Sequence, residues 1–444
     1  MSRDERRERG KAERKRVPRR ELAGFVPPPD RPDPLALVED QNRSRLPEIV
    51  PVRWGRMAQS PFGWLRGSPV VMTADLAGAP ATSLTVQLCG DAHLLNFGLF
   101  AAPDRRQVFD VNDFDETLAG PFEWDVKRLA TSAVVAAATA GFPDDVADRA
   151  AEAAAASYRA RMGEYAETSA LDLWYDRIDV DEAVAAVRPK RPRTLQREAE
   201  RARAQTSLSV LPKLAEVTPS GPRIRDHPPL VQRLFEPDAI GLVAGLVERY
   251  RGSVADELRP LIDRFRLVDL ALKVVGVGSV GTRCFVALME GEGDREDPLF
   301  LQVKEAQRSV LEPYLDPSPY PSSGERVVRG QRMLQAAGDI LLGWFDLDDR
   351  SYYVRQLRDQ KASVDLTVIA PEPFVRYCGL CGWVLARAHA RTGDPAAISG
   401  YLGRGTAFDE AIVAFARDYA TVAERDHARL VQAIAAGEIV ADDR

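Results

Sequence analysis

The sequence predicts an α+β fold in which a mainly helical large lobe carries a small antiparallel β lobe set into its later half. Three observations support this. Helical periodicity with many alanines runs from Trp124 through VKRLATSAVVAAATA to about Tyr165. Residues 267 to 304 alternate instead like strands and turns, LVDLALKVVGVGSVGTRCFVALMEGEGDREDPLFLQVKEA, and helical patterning resumes toward the C-terminus. A length of 444 residues suffices for two or three lobes, and no internal repeat divides it.

In chain order, residues 1–34 read as a disordered basic tail and Pro-rich linker. The first twenty carry ten basic and four acidic side chains with almost no apolar content, and FVPPPDRPDP follows as an extended spacer. Residues 35–84 form an N-terminal extension or lid. Within it Arg53, Arg56 and Arg66 interleave with Trp54, Phe62 and Trp64, which suits either phosphate recognition or packing. Residues 85–265 are a helical lobe that opens with the strand-like runs SLTVQLC, NFGLF and QVFDV and closes with a long helix from about Ile240 to Arg264. The β-rich lobe is 266–360, with GEGDRED and DLDDRS as hairpin turns. Helices over 361–444 complete the large lobe.

Composition excludes little. A hydrophobic fraction of 45% with 28% charged residues is ordinary for a globular protein, and a net charge of -6 argues against a nucleic-acid partner. The basic start is followed by no apolar signal region, and no run approaches the length of a membrane span, so a cytoplasmic protein without a membrane partner is expected. Four cysteines imply no disulfide framework. Cys378 and Cys381 form a CxxC inside an apolar helical pattern, where core packing is the expectation.

The chemistry concentrates in CGDAHLLNFG and FDVNDFDET. Asp91, His93 and Asn96 fall within six positions, and Asp113 follows Asn96 by seventeen, with Asp110, Asp115 and Glu116 around it. A carboxylate and a carboxamide oxygen converging on one point suit a hard cation such as magnesium. A further carboxylate off the metal can take a proton from a hydroxyl nucleophile. Helix capping would explain one or two of these acids but not five beside a histidine and an asparagine.

GDAHLLNFG, then NDFDE, then GPFEWDVKRLA resembles the catalytic and metal loops of the aminoglycoside and choline phosphotransferases, within the protein-kinase-like superfamily. The resemblance implies Asp91 as catalytic base, with His93 bracing the loop. It implies Asn96 and Asp113 as magnesium ligands, with Asp115 beside them, and Asp125 as a structural acid. Cys89 departs from the pattern, since many relatives have histidine there. The wider succession RMAQSPFGWLRG, CGDAHLLNFG, GVGSVGTR, YYVRQLRDQK and ARAHARTGD is similar to a bacterial family defined as domain of unknown function 2252, over nearly all of residues 10 to 440.

A nucleotide would need a second half-site. GVGSVG, with Gly276, Gly278, Ser279 and Gly281, lies between two strand-like runs, as the phosphate-covering loop of kinases does. Lys304, at the end of the next strand, has the position of the phosphate-neutralising lysine. Its acidic partner is expected to be Glu325 first and Glu312 second, because adjacent Glu305 points to the opposite face. In kinases these parts precede the catalytic loop, whereas Lys304 follows Asp91 by more than two hundred residues. A circular permutation reconciles the order, and VLARAHARTGD at 384–394 resembles the helix that normally enters the catalytic loop, with His389 a packing or hydrogen-bonding residue and not a ligand.

The expectation is therefore a permuted, protein-kinase-like two-lobed protein using ATP and magnesium to phosphorylate an unknown hydroxyl-bearing acceptor. Two alternatives stand beside it. A metal-dependent hydrolase would use Asp91, His93, Asp113 and Asp115, and a pseudokinase would bind nucleotide without turnover.

Overall fold

A computed structural model of the protein describes residues 1–187, 214–218, 221–228, 231–233, 239–273, 278, 280–292, 297–357, 364–366 and 368–442. The expected Gly276 and Ser279 lie outside the described residues.

Helix starts follow the polar and proline punctuation of the chain. Ser2 caps α1 (Arg3–Arg16), Asp33 caps α2 (Pro34–Asn42), α3 spans Val50–Ala58, Ser60 caps α4 (Pro61–Gly67), and α5 runs Pro69–Ala77. The N-terminal segment is thus a docked helix, not the disordered tail its composition suggests. Its arginines find fixed anions and carbonyls. Arg14 donates to the Tyr401 carbonyl at 2.9 Å and Arg19 to that of Leu402 at 2.6 Å, at the negative end of a later helix. Arg3 and Arg7 reach Glu167. Gly10 lies so close to the Ala397 backbone that a Cβ would overlap its carbonyl. Charge pairing and close backbone contact replace the apolar surface that the segment lacks.

Four short strands come next: β1 (Thr85–Leu88), β2 (Phe97–Ala101), β3 (Gln107–Val111) and β4 (Leu118–Pro121). β1 pairs with β4 and β2 with β3, both antiparallel, so each loop between them is brought back to its start. The helical core is then laid down by α6 (Phe122–Thr139) and α7 (Asp144–Tyr165), flanked by α8 (Ala170–Tyr175) and α9 (Val180–Val187). The hairpin β5 (Ala215–Thr218) and β6 (Gly221–Ile224) and the short β7 (Val231–Arg233) lead to α10 (Ala239–Arg251). The long helix expected to reach Arg264 ends at Arg251. Gly252 and Ser253 follow, and a separate short helix α11 (Arg259–Ile262) with proline in its first turn precedes the sheet.

The main sheet contains β8 (Phe265–Lys273), β9 (Cys284–Gly291), β10 (Pro298–Ala306), then, after α12 (Ser323–Leu334), β11 (Gly343–Leu347) and β12 (Arg350–Gln356). Its order is β11-β12-β10-β9-β8-β7, with every neighbour antiparallel. Alternation along β10 sends Leu299, Leu301 and Val303 to a core shared with Tyr250, Ile262 and Phe345. The other face carries Phe300, Gln302 and Lys304. The chain closes with α13 (Pro371–Thr392), α14 (Pro395–Leu402) and α15 (Ala407–Ala435). α13 packs on α7 through small residues, and a Cβ at Gly382 would strike the Ala154 carbonyl. Cys378 and Cys381 are buried free thiols in that core. The chain is therefore mixed α+β with small antiparallel sheets, and among the described residues no helix is long and apolar enough to cross a membrane.

Candidate active site

The loop after β1 is built by its neighbours. Gly90 has φ +84°, and a Cβ there would run into the Glu116 backbone, so glycine permits the reversal that turns Asp91 inward. Asp125, in the first turn of α6, accepts from the Cys89 amide at 2.8 Å and the Gly90 amide at 3.1 Å. His389 of α13 stands 3.2 Å from the same carboxylate and 2.9 Å from the Tyr158 hydroxyl, the bonding role expected of it. Ser132 and Tyr377 fix the Leu94 amide and carbonyl. The loop is therefore clamped from two helices before any ligand arrives.

Asp91 is held by Arg128, whose Nε and Nη2 lie 2.8 and 2.7 Å from its Oδ1. Burial, outweighing that guanidinium and reinforced by Asp113, pushes the Asp91 carboxyl up to about 6. His93 is buried, with Nε2 3.8 Å from the Asp91 carboxylate and, among the described residues, no partner for Nδ1. Burial first, then Arg66 and Arg128, keeps its imidazole neutral, so this contact is not an ion pair. Its carbonyl accepts from the Asn96 amide at 2.9 Å, which makes it a brace within the loop.

Asn96 donates its side-chain amide to the Asp91 carbonyl at 2.7 Å, and among the described residues its carboxamide oxygen accepts no hydrogen bond. Pairing of β2 with β3 carries it across from Asn112, whose amide bonds the Asn96 carbonyl at 2.8 Å, one residue before Asp113. The Asp113 side chain is 34% exposed. It lines a pocket of about 40 Å³ together with Asp91, Asp115, Glu116 and Gly278. Burial also pushes the Glu116 carboxyl up to about 7, against the Val310 amide that it accepts. Among the described residues no three His, Cys, Asp or Glu side chains converge as a metal cage. The donors fit magnesium in the way it usually binds, through one or two protein oxygens with the remainder from phosphate and water.

Lys304 reaches two of the pocket's acids from the sheet. Its ammonium pairs with Asp115 and lies 3.9 Å from Asp113. Burial opposes its charge, but the two carboxylates more than offset this and hold its proton more tightly than usual. Conversely, despite burial, Lys304 and the Tyr353 hydroxyl, 2.8 Å away, hold the Asp115 carboxyl low. Glu325 does not meet Lys304. It lies in the first turn of α12 and bonds Arg329 at 3.2 Å. Glu312, the second expectation, pairs with Arg308. The helix instead contributes Arg326, which donates to the carbonyls of Asp115 at 2.8 Å and Thr117 at 2.7 Å and so shapes the acidic loop.

Of the glycine-rich stretch, Gly278 borders the pocket, and Gly281 is held by the extension, where the Leu46 amide bonds its carbonyl at 2.8 Å. Sequence reasoning assigned no role to Tyr353, Arg355 or Arg326. The first two were findable. In YYVRQL they are two apart, and register puts Tyr353 opposite Lys304, so one sheet face carries all three. Arg355 donates to Gln302 at 2.8 Å and to the Asn112 carbonyl at 3.1 Å, tying the sheet to the acidic loop.

One family profile matches residues 45–433, that of the uncharacterized proteins conserved in bacteria called DUF2252. The chain belongs to this family. The matched span includes Asp91, Asp113 and Lys304, while Gln41 at the pocket's edge lies before it. No curated protein and no solved structure matches the chain.

Proposed function

We propose that the chain is a nucleoside-triphosphate-dependent phosphotransferase of the kinase-like type, acting on a hydroxyl-bearing acceptor. The observation that carries this is the meeting of Lys304 with Asp113 and Asp115, residues almost two hundred positions apart in sequence, at a pocket that also holds Asp91. Strand order adds support. Reading β8-β9-β10-β12-β11, the glycine-rich stretch joins the first two strands, the lysine is on the third, and a helix precedes the last two, the arrangement of a kinase small lobe. These parts follow the catalytic loop in the chain, as a circular permutation would require.

In this reading Lys304 neutralises the inner phosphates. Arg128 aims the Asp91 carboxylate, which accepts the acceptor hydroxyl proton while the acceptor oxygen bonds the terminal phosphorus and the bond to the bridging oxygen breaks, releasing the nucleoside diphosphate. Magnesium, held by Asn96 and Asp113, would supply charge neutralisation to the phosphates. The residues of this chain contribute position and fixed charge, the main sources of rate in such transfers.

The hydrolase alternative needs Asp91, His93, Asp113 and Asp115 to converge as ligands. Asp91 and Asp115 are already engaged by Arg128 and Lys304, and the His93 side chain is buried. Lys304→Ala separates the two readings. Transfer of labelled terminal phosphate from ATP to a metabolite mixture should fall roughly 100-fold or more. Release of phosphate at an unchanged rate in this variant would favour the hydrolase.

A further inference from the structure

The extension contributes an arginine whose partners the described fold does not supply. Arg66 sits in α4, with its guanidinium 5.8 Å from the centre of the Phe62 ring. Among the described residues its buried Nε has no hydrogen-bond partner and no carboxylate forms an ion pair with it. Arg53 also leaves its Nε without a partner among the described residues, but the terminal nitrogens of Arg53 and the guanidinium of Arg128 are engaged. Arg53 donates to Asn42, Gln41 and the Gly67 carbonyl, and Arg128 to Asp91 and the Leu65 carbonyl. Arg66 instead bonds no described group through any of its guanidinium nitrogens, whereas a guanidinium kept only for packing would be expected to satisfy at least its terminal donors.

The place of Arg66 is nonetheless fixed. The residues on either side of it are pinned, Leu65 by Arg128 at 2.7 Å and Gly67 by Arg53 at 2.7 Å. Arg128 is the side chain that also aims Asp91. The carbonyl of Arg66 lies 3.5 Å from where a Cβ on Gly278 would stand, against the glycine-rich stretch. Its charge acts on both Asp91 and His93. The Arg66 backbone therefore meets the glycine-rich stretch, and its charge is felt by Asp91 and His93 of the catalytic loop and not by Lys304. An unpaired, partly buried guanidinium there matches phosphate oxygens in charge and in its forked donor geometry.

We propose that Arg66 binds the terminal phosphate of the nucleotide, an inference that rests on the phosphotransferase reading. Lys304 serves the inner phosphates from the sheet, while Arg66 reaches the transferring group from the extension. It holds the equatorial oxygens as the acceptor oxygen bonds phosphorus, the bridging oxygen departs with the nucleoside diphosphate, and Asp91 takes the acceptor proton.

The test compares binding of magnesium-ATP and magnesium-ADP by calorimetry to the full chain and to Arg66→Ala. Wild type should bind both. The variant should lose about 10- to 100-fold in ATP affinity, the size of lost charge-assisted hydrogen bonds, with ADP affinity unchanged. Equal ATP affinity in wild type and variant overturns the assignment while leaving the phosphotransferase reading intact. Absence of all nucleotide binding in wild type overturns both. Arg66→Lys keeps the stem and charge without the fork and guards against a variant that fails to fold. It should lose ATP affinity in the same sense, and unaltered ATP binding by a folded Arg66→Lys would also count against the forked contact.

Discussion

The acids behind the catalytic loop and those in front of it are the same residue types from the same stretch of chain, yet their surroundings divide them. Behind it, Asp125 spends both oxygens on the Cys89 and Gly90 amides, and Asp110 is buried against Arg387 at 2.5 Å and the Val111 amide at 2.8 Å. In front, Asp91 and Asp113 line the pocket, and Asp113 meets its cation only at 3.9 Å. The carboxylates behind are turned into the core and build the loop. Those in front face a cavity, Asp91 held on one oxygen by Arg128 and Asp113 held more loosely, and they are left for chemistry at some cost in stability.

The largest effect that would break this division is Asp125→Ala. Two buried amides would lose their acceptor, so the folded state should lose about 3 kcal/mol or more, read as a fall in unfolding free energy by denaturant titration. Asp113→Ala should leave stability within about 0.5 kcal/mol while removing magnesium-dependent nucleotide binding. If the two variants were equally destabilised, the division would be wrong.

A pH series sharpens the comparison. With its carboxyl pushed up to about 6, Asp91 loses its base form below that pH, so kcat/KM should fall roughly tenfold per unit of acidification there. The stability contribution runs the other way. The folded state favours protonated Asp91, so that contribution is lost as pH rises through about 6. A rate profile flat from pH 5 to 7 would remove Asp91 from the proton-accepting role, since the expected change is about tenfold.

The smallest expected effect concerns the N-terminal helix. Gly10→Ala should push α1 from α14 and cost about 1 kcal/mol, with nucleotide affinity unaltered, because α1 docks away from the pocket. Stability curves for this variant and for Gly400→Ala, whose Cβ would strike the Arg7 carbonyl in the same crossing, check it.

Much of this was legible in the sequence because local patterns determine it. CGDAHLLNFG between apolar runs gave the strands and the loop, and the alternation in FLQVKEA gave the strand that carries Lys304. Partners across long separations were not legible. Nothing in the local text says that Lys304 meets Asp115 rather than Glu325, because the choice depends on how α12 is rotated against the sheet. The rotation that buries Arg326 leaves Glu325 at the helix start beside Arg329. The N-terminal helix was misread for a related reason. Its stability comes from Glu167 and the carbonyls of α14, whereas local composition reports only missing apolar content.

The most direct test is calorimetric titration of magnesium-ATP into the wild-type chain and into Lys304→Met, which keeps the stem and removes the charge. Saturable one-site binding to wild type, weakened at least about 10-fold in the variant, is the predicted result. Binding of equal strength to both proteins would contradict it, because the nucleotide would then lie away from the pocket where Lys304 meets Asp113 and Asp115.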